Sequence, residues 1–168
     1  MQFQPLVDAL RETVLAQGVI HADETPVQML TPGEKKIHRA YVWADCTTPF
    51  SALQAVVYDF SPSRAGEHAR NFLGQWNGKL VCDDFAGYKA SFQQGITEIG
   101  CQAHARRKFF DLHATNKSHL AERALHSIGG LYEIERQARE MTDENRWRIR
   151  QEKAAPIIDA LHTWMLAQ

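Results

Sequence analysis

Between Val19 and Phe60 three runs rich in β-branched and aromatic residues follow one another with only turn-forming residues between them, and this succession constrains the fold more than any other feature. The first strand is expected near Val19 to Asp23, followed by Val27, Met29 and Leu30 and a turn at Thr31-Pro32-Gly33. The second runs from Arg39 to Cys46 through Tyr41, Val42 and Trp43, and the third from Leu53 to Phe60, with Thr47-Thr48-Pro49 between them. Strands this close together have no room for a crossover and must pair as an antiparallel meander. Upstream, Leu6, Leu10 and Val14 recur at helical spacing, so the chain opens on an amphipathic helix.

Past the meander the period changes. Ser61 is placed as an N-cap with Pro62 at the first helical position, starting a helix of roughly a dozen residues that passes Ala65, Ala69 and Phe72 and ends at Gly74. Lys79 to Cys82 is a fourth strand, Gly87-Tyr88 leads into a short helical stretch ending near Gly95, and Ile96 to Gly100 is a fifth strand. From Ala103 the pattern is helical, with interruptions at Thr115-Asn116-Lys117, Gly129-Gly130 and Thr142-Asp143. Hairpins followed by helical crossovers give an α/β fold with a mixed sheet.

At 168 residues the chain holds one sizeable core, and no apolar run approaches the eighteen residues of a membrane span. The start carries Asp8, Arg11 and Glu12 among its apolar positions and does not match a secretory leader. Three scattered cysteines, Cys46, Cys82 and Cys101, do not form a disulfide framework and fit a reducing cytoplasm. With 19 Lys+Arg against 20 Asp+Glu the net charge is -1, so a polyanionic partner would have to be met by a local patch.

Such a patch stands at His104-Ala105-Arg106-Arg107-Lys108. Three consecutive cations in a first helical turn oppose the helix dipole and call for an anion, for which phosphate is the natural choice; a solvated face with Phe109 and Phe110 in the core is the plainer alternative. Asp23 and Asp83 each stand at or just past a strand end. Two carboxylates so placed suit Mg2+ or Mn2+, and through them phosphoryl transfer; equally, each could cap the turn that follows it. Cys101 and His104 have the spacing of a zinc half-site, but no second close pair completes it. No Gly-rich phosphate loop and no nucleophile elbow is present, and Trp147, Ile157, Leu161, Trp164 and Met165 recur as packing positions.

Three strings, His21-Ala22-Asp23-Glu24-Thr25-Pro26, Cys82-Asp83-Asp84-Phe85-Ala86-Gly87-Tyr88 and Gly100-Cys101-Gln102-Ala103-His104-Ala105-Arg106-Arg107-Lys108-Phe109, resemble in this order the catalytic domain of bacterial transposases of the insertion sequence 66 family. The resemblance runs from the opening helix to Trp164. It departs at Asp84-Phe85, where the family usually has Gly-Tyr, and at Gln102, where it usually has Trp.

The resemblance implies a ribonuclease H-like fold: a mixed five-stranded sheet with flanking helices over residues 1–112 and a C-terminal helical insertion over 113–168. It also implies DDE-type chemistry, in which two Asp and one Glu hold Mg2+ or Mn2+ for DNA strand cleavage and transfer. Asp23 would be the first acid and Asp83 the second, both catalytic and metal-binding, with Arg106, Arg107, Lys108 and His104 on the DNA. Implied partners are the insertion-sequence ends and a second copy or other transposase subunits, in the bacterial cytoplasm at the nucleoid. The family's Glu lies in an Asp-Asn-Asn-containing motif beyond the insertion, and no such string occurs here; none of Glu122, Glu133, Glu135, Glu140, Glu144 and Glu152 has a matching context. The third acid is therefore not expected in this sequence. The chain is expected to be a segment of a longer catalytic domain, lacking the final catalytic helix and inactive alone, or else a non-catalytic remnant that binds DNA or other subunits.

Overall fold

The computed structural model describes residues 3–30, 32–33 and 36–168, so Thr31 of the expected first turn lies outside the described residues. The chain divides into two compact units, Met1–Cys101 and Gln102–Gln168.

In the first unit, helix α1 (Gln4–Leu15) precedes strands β1 (Val19–Leu30), β2 (Ile37–Thr47) and β3 (Val56–Ser61). Helix α2 (Gly66–Leu73), β4 (Lys79–Cys82), a 3-10 turn at Ala86–Tyr88, α3 (Lys89–Phe92) and β5 (Thr97–Gly100) follow. The five strands form one sheet in the order β3-β2-β1-β4-β5. The β1–β2 and β2–β3 pairs are antiparallel, while β1–β4 and β4–β5 are parallel. The expected mixed sheet with flanking helices is thus present, and the meander forms its antiparallel half.

Two elements of this unit differ most from expectation, while β3 starts at Val56, three residues later than expected. Strand β1 does not stop at Asp23 but continues to Leu30, because its pairing with β2 persists as far as Leu30 opposite Ile37. Pro26 interrupts the donors of that ladder without ending it, as a proline can where its missing N–H is tolerated. Helix α2 begins after Ala65, not after Ser61. The Ser61 hydroxyl instead donates to the Ser63 carbonyl at 2.7 Å, accepts from the Ser63 N–H at 3.1 Å and meets Nε2 of His68 at 2.5 Å. Those bonds close a turn at the end of β3, and Pro62-Ser63-Arg64 becomes a loop instead of a first helical turn.

Alternation along the strands assigns the two faces of the sheet. Ile20, Ala22, Trp43, Val57, Leu80 and Cys82 are buried in one core with Val14 of α1 and with Ala69 and Leu73 of α2. Glu24, at the next inward position of β1, and Asp45, beside Trp43 on β2, are buried on the same side. His21, Asp23 and Thr25 alternate with these residues and belong to the opposite face.

The second unit is helical. It comprises α4 (Gln102–Asn116), α5 (His119–Ala138), α6 (Asp143–Ile149), a π-helical turn at Arg150–Ala154 and α7 (Ala155–Leu166). The position between 112 and 113 falls inside α4. Lys117, with φ of 54°, turns the chain after α4, and the Ser118 hydroxyl caps α5 by accepting from Ala121 N–H at 3.3 Å. Thr142 caps α6 in the same way, through Asn145 N–H at 3.4 Å.

The Gly129-Gly130 pair does not interrupt α5. A Cβ at Gly130 would make an ordinary contact with Ile157 Cδ1 at 3.4 Å, so α7 lies against this part of α5, and tertiary packing outweighs the helix cost of about 1 kcal/mol per glycine. Arg150 closes the far end of the unit with two bonds to Glu135, at 2.7 and 2.6 Å. Among the described residues no helix is long and apolar enough to cross a membrane.

Candidate functional site

The parallel ladder between β1 and β4 pairs Val19 with Lys79, Ile20 with Leu80 and His21 with Val81. The ladder stops there: Asp23 lies within β1 two positions past the last pair, and Asp83 lies one residue past the end of β4. The C-terminal edge of parallel strands is where an α/β sheet offers its loops to a ligand. Asp83, just past the end of β4, is half-buried, and Asp23, inside β1, is exposed.

Each carboxylate also has a local bond, but only Asp83 caps a turn as the capping alternative anticipated, since Asp23 lies inside β1. Oδ1 of Asp23 accepts from the N–H of Glu24 at 3.0 Å. Oδ1 of Asp83 accepts from the N–H of Phe85 at 2.9 Å, tying the loop that leaves β4. The other oxygen of Asp83 lies 3.7 Å from Nη2 of Arg64.

Arg64 connects this edge to the core. Its Nε donates to Oε1 of Glu24 at 2.7 Å, and its Nη2 bonds the same oxygen. The hydroxyl of Tyr88 donates to Oε2 of Glu24 at 3.2 Å, so both oxygens of a side chain with 0% exposure are engaged. Burial pushes the Glu24 carboxyl above the usual range, and the Arg64 hydrogen bond and charge oppose that shift. Burial and the neighbouring Glu24 raise the Tyr88 phenol.

The Arg64 guanidinium lies 4.1 Å from the centre of the Phe85 ring, which meets Tyr88 edge-on at 5.7 Å. Arg64 is therefore held from three sides, by an acid, an aromatic face and the Asp83 carboxylate. Sequence reasoning did not single out Glu24, Arg64 or Tyr88. The available signal was parity: Glu24 follows Ile20 and Ala22 at every second position, so a strand running past Asp23 must bury it.

A second buried acid lies deeper. Asp45 is 7% exposed, and burial first, then the charge of Asp59, push its carboxyl up to about 7, with Arg11 opposing. Arg11 itself reaches from α1 to the carbonyls of Asn71 and Phe72 at the end of α2.

Mg2+ and Mn2+ take oxygen ligands, and a Mg2+ site often uses only one or two carboxylates, with waters and phosphates completing the shell. Asp23 and Asp83 fit that donor set. Glu24 does not add to it, since its side chain is enclosed and both oxygens are committed. Among the described residues no group of three or more His, Cys, Asp or Glu is gathered for a metal, which also leaves the zinc alternative at Cys101 and His104 without support. Cys82 is buried and its thiol is pushed up to about 12 by burial and then by Glu98, in keeping with a small core residue.

Arg106, Arg107, Lys108 and His104 lie in the first turns of α4. Arg106 and Arg107 face a cavity of about 550 Å3 within the helical unit, and Lys108 is exposed off that lining.

The family model for the IS66 family of transposases matches residues 1–168. Among curated relatives, the chain is 31% identical to the uncharacterized protein y4hP of Sinorhizobium fredii over 96% of its own length, and 32% identical to y4jD of the same organism over 97%. A third, y4qI, is 31% identical over 95% of this chain. The chain spans about a third of the length of each of these relatives. A match over every residue, together with the ordered strings around Asp23, Asp83 and Arg106, gives one conclusion: the chain belongs to the IS66 transposase family.

Proposed function

We propose that the chain supplies part of the catalytic core for metal-dependent DNA strand cleavage and transfer, with Asp23 and Asp83 as two of its acids. The observation that carries this is the parallel β1–β4 ladder, whose register, carried two positions past its last pair, would bring the two carboxylates level on neighbouring chain segments. The strand order β3-β2-β1-β4-β5, antiparallel in its first half and parallel in its second, supports a ribonuclease H-like fold. On this proposal residues 1–112 are the core and 113–168 the helical insertion.

Asp23 and Asp83 would hold Mg2+ or Mn2+. When bound, such an ion neutralises charge on a scissile phosphate and activates the attacking oxygen. Arg64 holds the Asp83 carboxylate from the side and keeps a positive charge beside it. Arg106, Arg107, Lys108 and His104 would position the DNA backbone, contacts that orient without reading sequence. No Glu of this sequence matches the family's third acid, so these residues alone are expected to cleave DNA very weakly or not at all. Self-association, or association with other transposase subunits, would place more than one such core on the insertion-sequence ends.

Calorimetric titration of Mn2+ into the wild type, Asp23→Asn and Asp83→Asn tests the proposal. Binding by the wild type that is lost in both variants is the expected result. Equal uptake by all three, or none by the wild type, would remove the carboxylate pair as a metal site. The charged cavity in the helical unit favours a second reading, a non-catalytic module that binds DNA or subunits, and for it Asp23→Asn changes nothing.

A further inference from the structure

We propose that the cavity between α4 and α5 is a binding site for single-stranded DNA, taking one unstacked base against its aromatic wall and the flanking phosphates on its arginines. This rests on the proposal that the chain acts on DNA and adds to it a place and a strand state. The cavity, of about 550 Å3, is lined by Ala103, Arg106, Arg107 and Phe110 from α4 and by Gly129, Tyr132 and Arg136 from α5. Its volume is within the range of about 300–1,000 Å3 usual for small-ligand sites.

The lining follows from helical spacing. Positions 103, 106, 107 and 110 recur at the three- and four-residue intervals that put side chains on one helix face, and positions 129, 132 and 136 do the same on α5. Two faces that meet in a helix pair ordinarily bring apolar residues together. These bring three arginines, two aromatic rings and a glycine. A Cβ built on Gly129 would meet nothing within 4 Å, so the floor at that point is open space.

Charge selects an anion. Among the described residues neither Arg106 nor Arg107 has a carboxylate partner, and Arg136 is paired with Glu133 alone, one turn away on the same helix. The wall is thus net cationic, and guanidinium groups suit phosphate oxygens because their planar fork donates two parallel bonds.

The aromatic rings select the state of the strand. Phe110 is 52% exposed despite its place in a helix pair. A duplex keeps its base faces stacked and would present only phosphates to this wall, leaving Phe110 and Tyr132 without a partner. An unstacked base offers a π-face to Phe110 or Tyr132 while its own phosphates reach the arginines, the combination by which proteins hold single strands without reading sequence.

The test is fluorescence anisotropy of the full chain with a labelled oligothymidylate and, separately, a labelled duplex of equal length, both at fixed salt and in EDTA. The wild type is expected to bind the single strand more tightly than the duplex. Phe110→Ala, at an exposed position that leaves the helix pair intact, is expected to weaken oligothymidylate binding by about 5- to 150-fold, the loss of one base stack, with duplex binding unchanged. Arg107→Glu, also exposed, is expected to weaken both, and Lys153→Gln, a charge loss elsewhere on the unit, neither. Equal or tighter binding of duplex by the wild type, or wild-type affinity of Phe110→Ala for the single strand, would overturn the proposal. Because EDTA removes divalent ions, the result is independent of Asp23 and Asp83: failure of the Mn2+ titration leaves this site standing, and failure here leaves the carboxylate pair standing.

Discussion

At the scale of single residues, the inner face of the sheet carries two acids in different surroundings. Glu24 is buried with an arginine and a phenol on its two oxygens, whereas Asp45 is buried beside further negative charge and its carboxyl is raised to about 7. Asp45 keeps its proton in the folded state at a pH where the unfolded chain, with an ordinary Asp near 3.9, has already lost it. Its contribution is therefore fully present below about pH 4 and is lost as pH rises through 7. Asp45→Asn is expected to remove that dependence and to stabilise the protein above pH 7 by on the order of 3 kcal/mol, as denaturant unfolding at pH 5 and pH 8 would read. An unchanged difference between those two pH values in the variant would place the protonation elsewhere. Asp23 and Asp83 were singled out by short strings and by expected strand ends, although only Asp83 lies at one, since β1 runs on past Asp23. Glu24, Arg64 and Asp45 were not, because their roles come from parity and from partners tens of positions away: Glu24 to Arg64 spans 40 residues and Glu24 to Tyr88 spans 64.

At the scale of elements, the site depends on a close backbone approach between α2 and the 3-10 turn after β4. A Cβ added at Gly66 would lie 2.5 Å from the Gly87 carbonyl oxygen and 2.8 Å from its Cα, so the first turn of α2 rests directly on the loop that carries Asp83, Phe85 and Tyr88. Gly66→Ala must push these two backbones apart. It is expected to cost about 1–3 kcal/mol in urea unfolding despite the better helix propensity of alanine. Widening this contact should also loosen Phe85 and Tyr88, visible as faster amide exchange in that loop, and a stabilised, unperturbed variant would show that the approach is not tight. The elements themselves were largely legible. β4 was read at its observed bounds, and the other strands were found to within a few residues except for the end of β1. Local patterns carry strand and helix identity, but they do not carry ladder length or tertiary reward. β1 extends to Leu30 because β2 continues to pair with it, α2 starts late because Ser61 spends its hydroxyl on a turn, and α5 runs through two glycines because α7 lies against one of them.

At the scale of the whole molecule, the face of the sheet opposite the core sets the expected solution behaviour. On edge strand β3 the outward positions are Val56, Tyr58 and Phe60, with Tyr58 67% and Phe60 54% exposed, and their partners on β2 are Cys46, Ala44 and Val42. The strip ends at β1, where Asp23 stands opposite Ala44. An apolar strip along a free strand edge is both greasy and short of hydrogen-bond partners, and a second copy of the chain satisfies both deficits by pairing edge to edge or face to face. Proteins that must keep such an edge monomeric place charges on it, and Asp59 points the other way, since it sits opposite Trp43 on the inward side. The chain is therefore expected to self-associate in sedimentation velocity as its concentration rises. Tyr58→Lys and Phe60→Glu, at exposed positions that carry little of the core, are expected to shift it toward monomer without lowering the thermal midpoint by more than about 1 °C. A wild type that stays monomeric at high concentration would mean that twist or side-chain cover already blunts this edge. Self-association that survives both substitutions would move the contact to another surface of the chain.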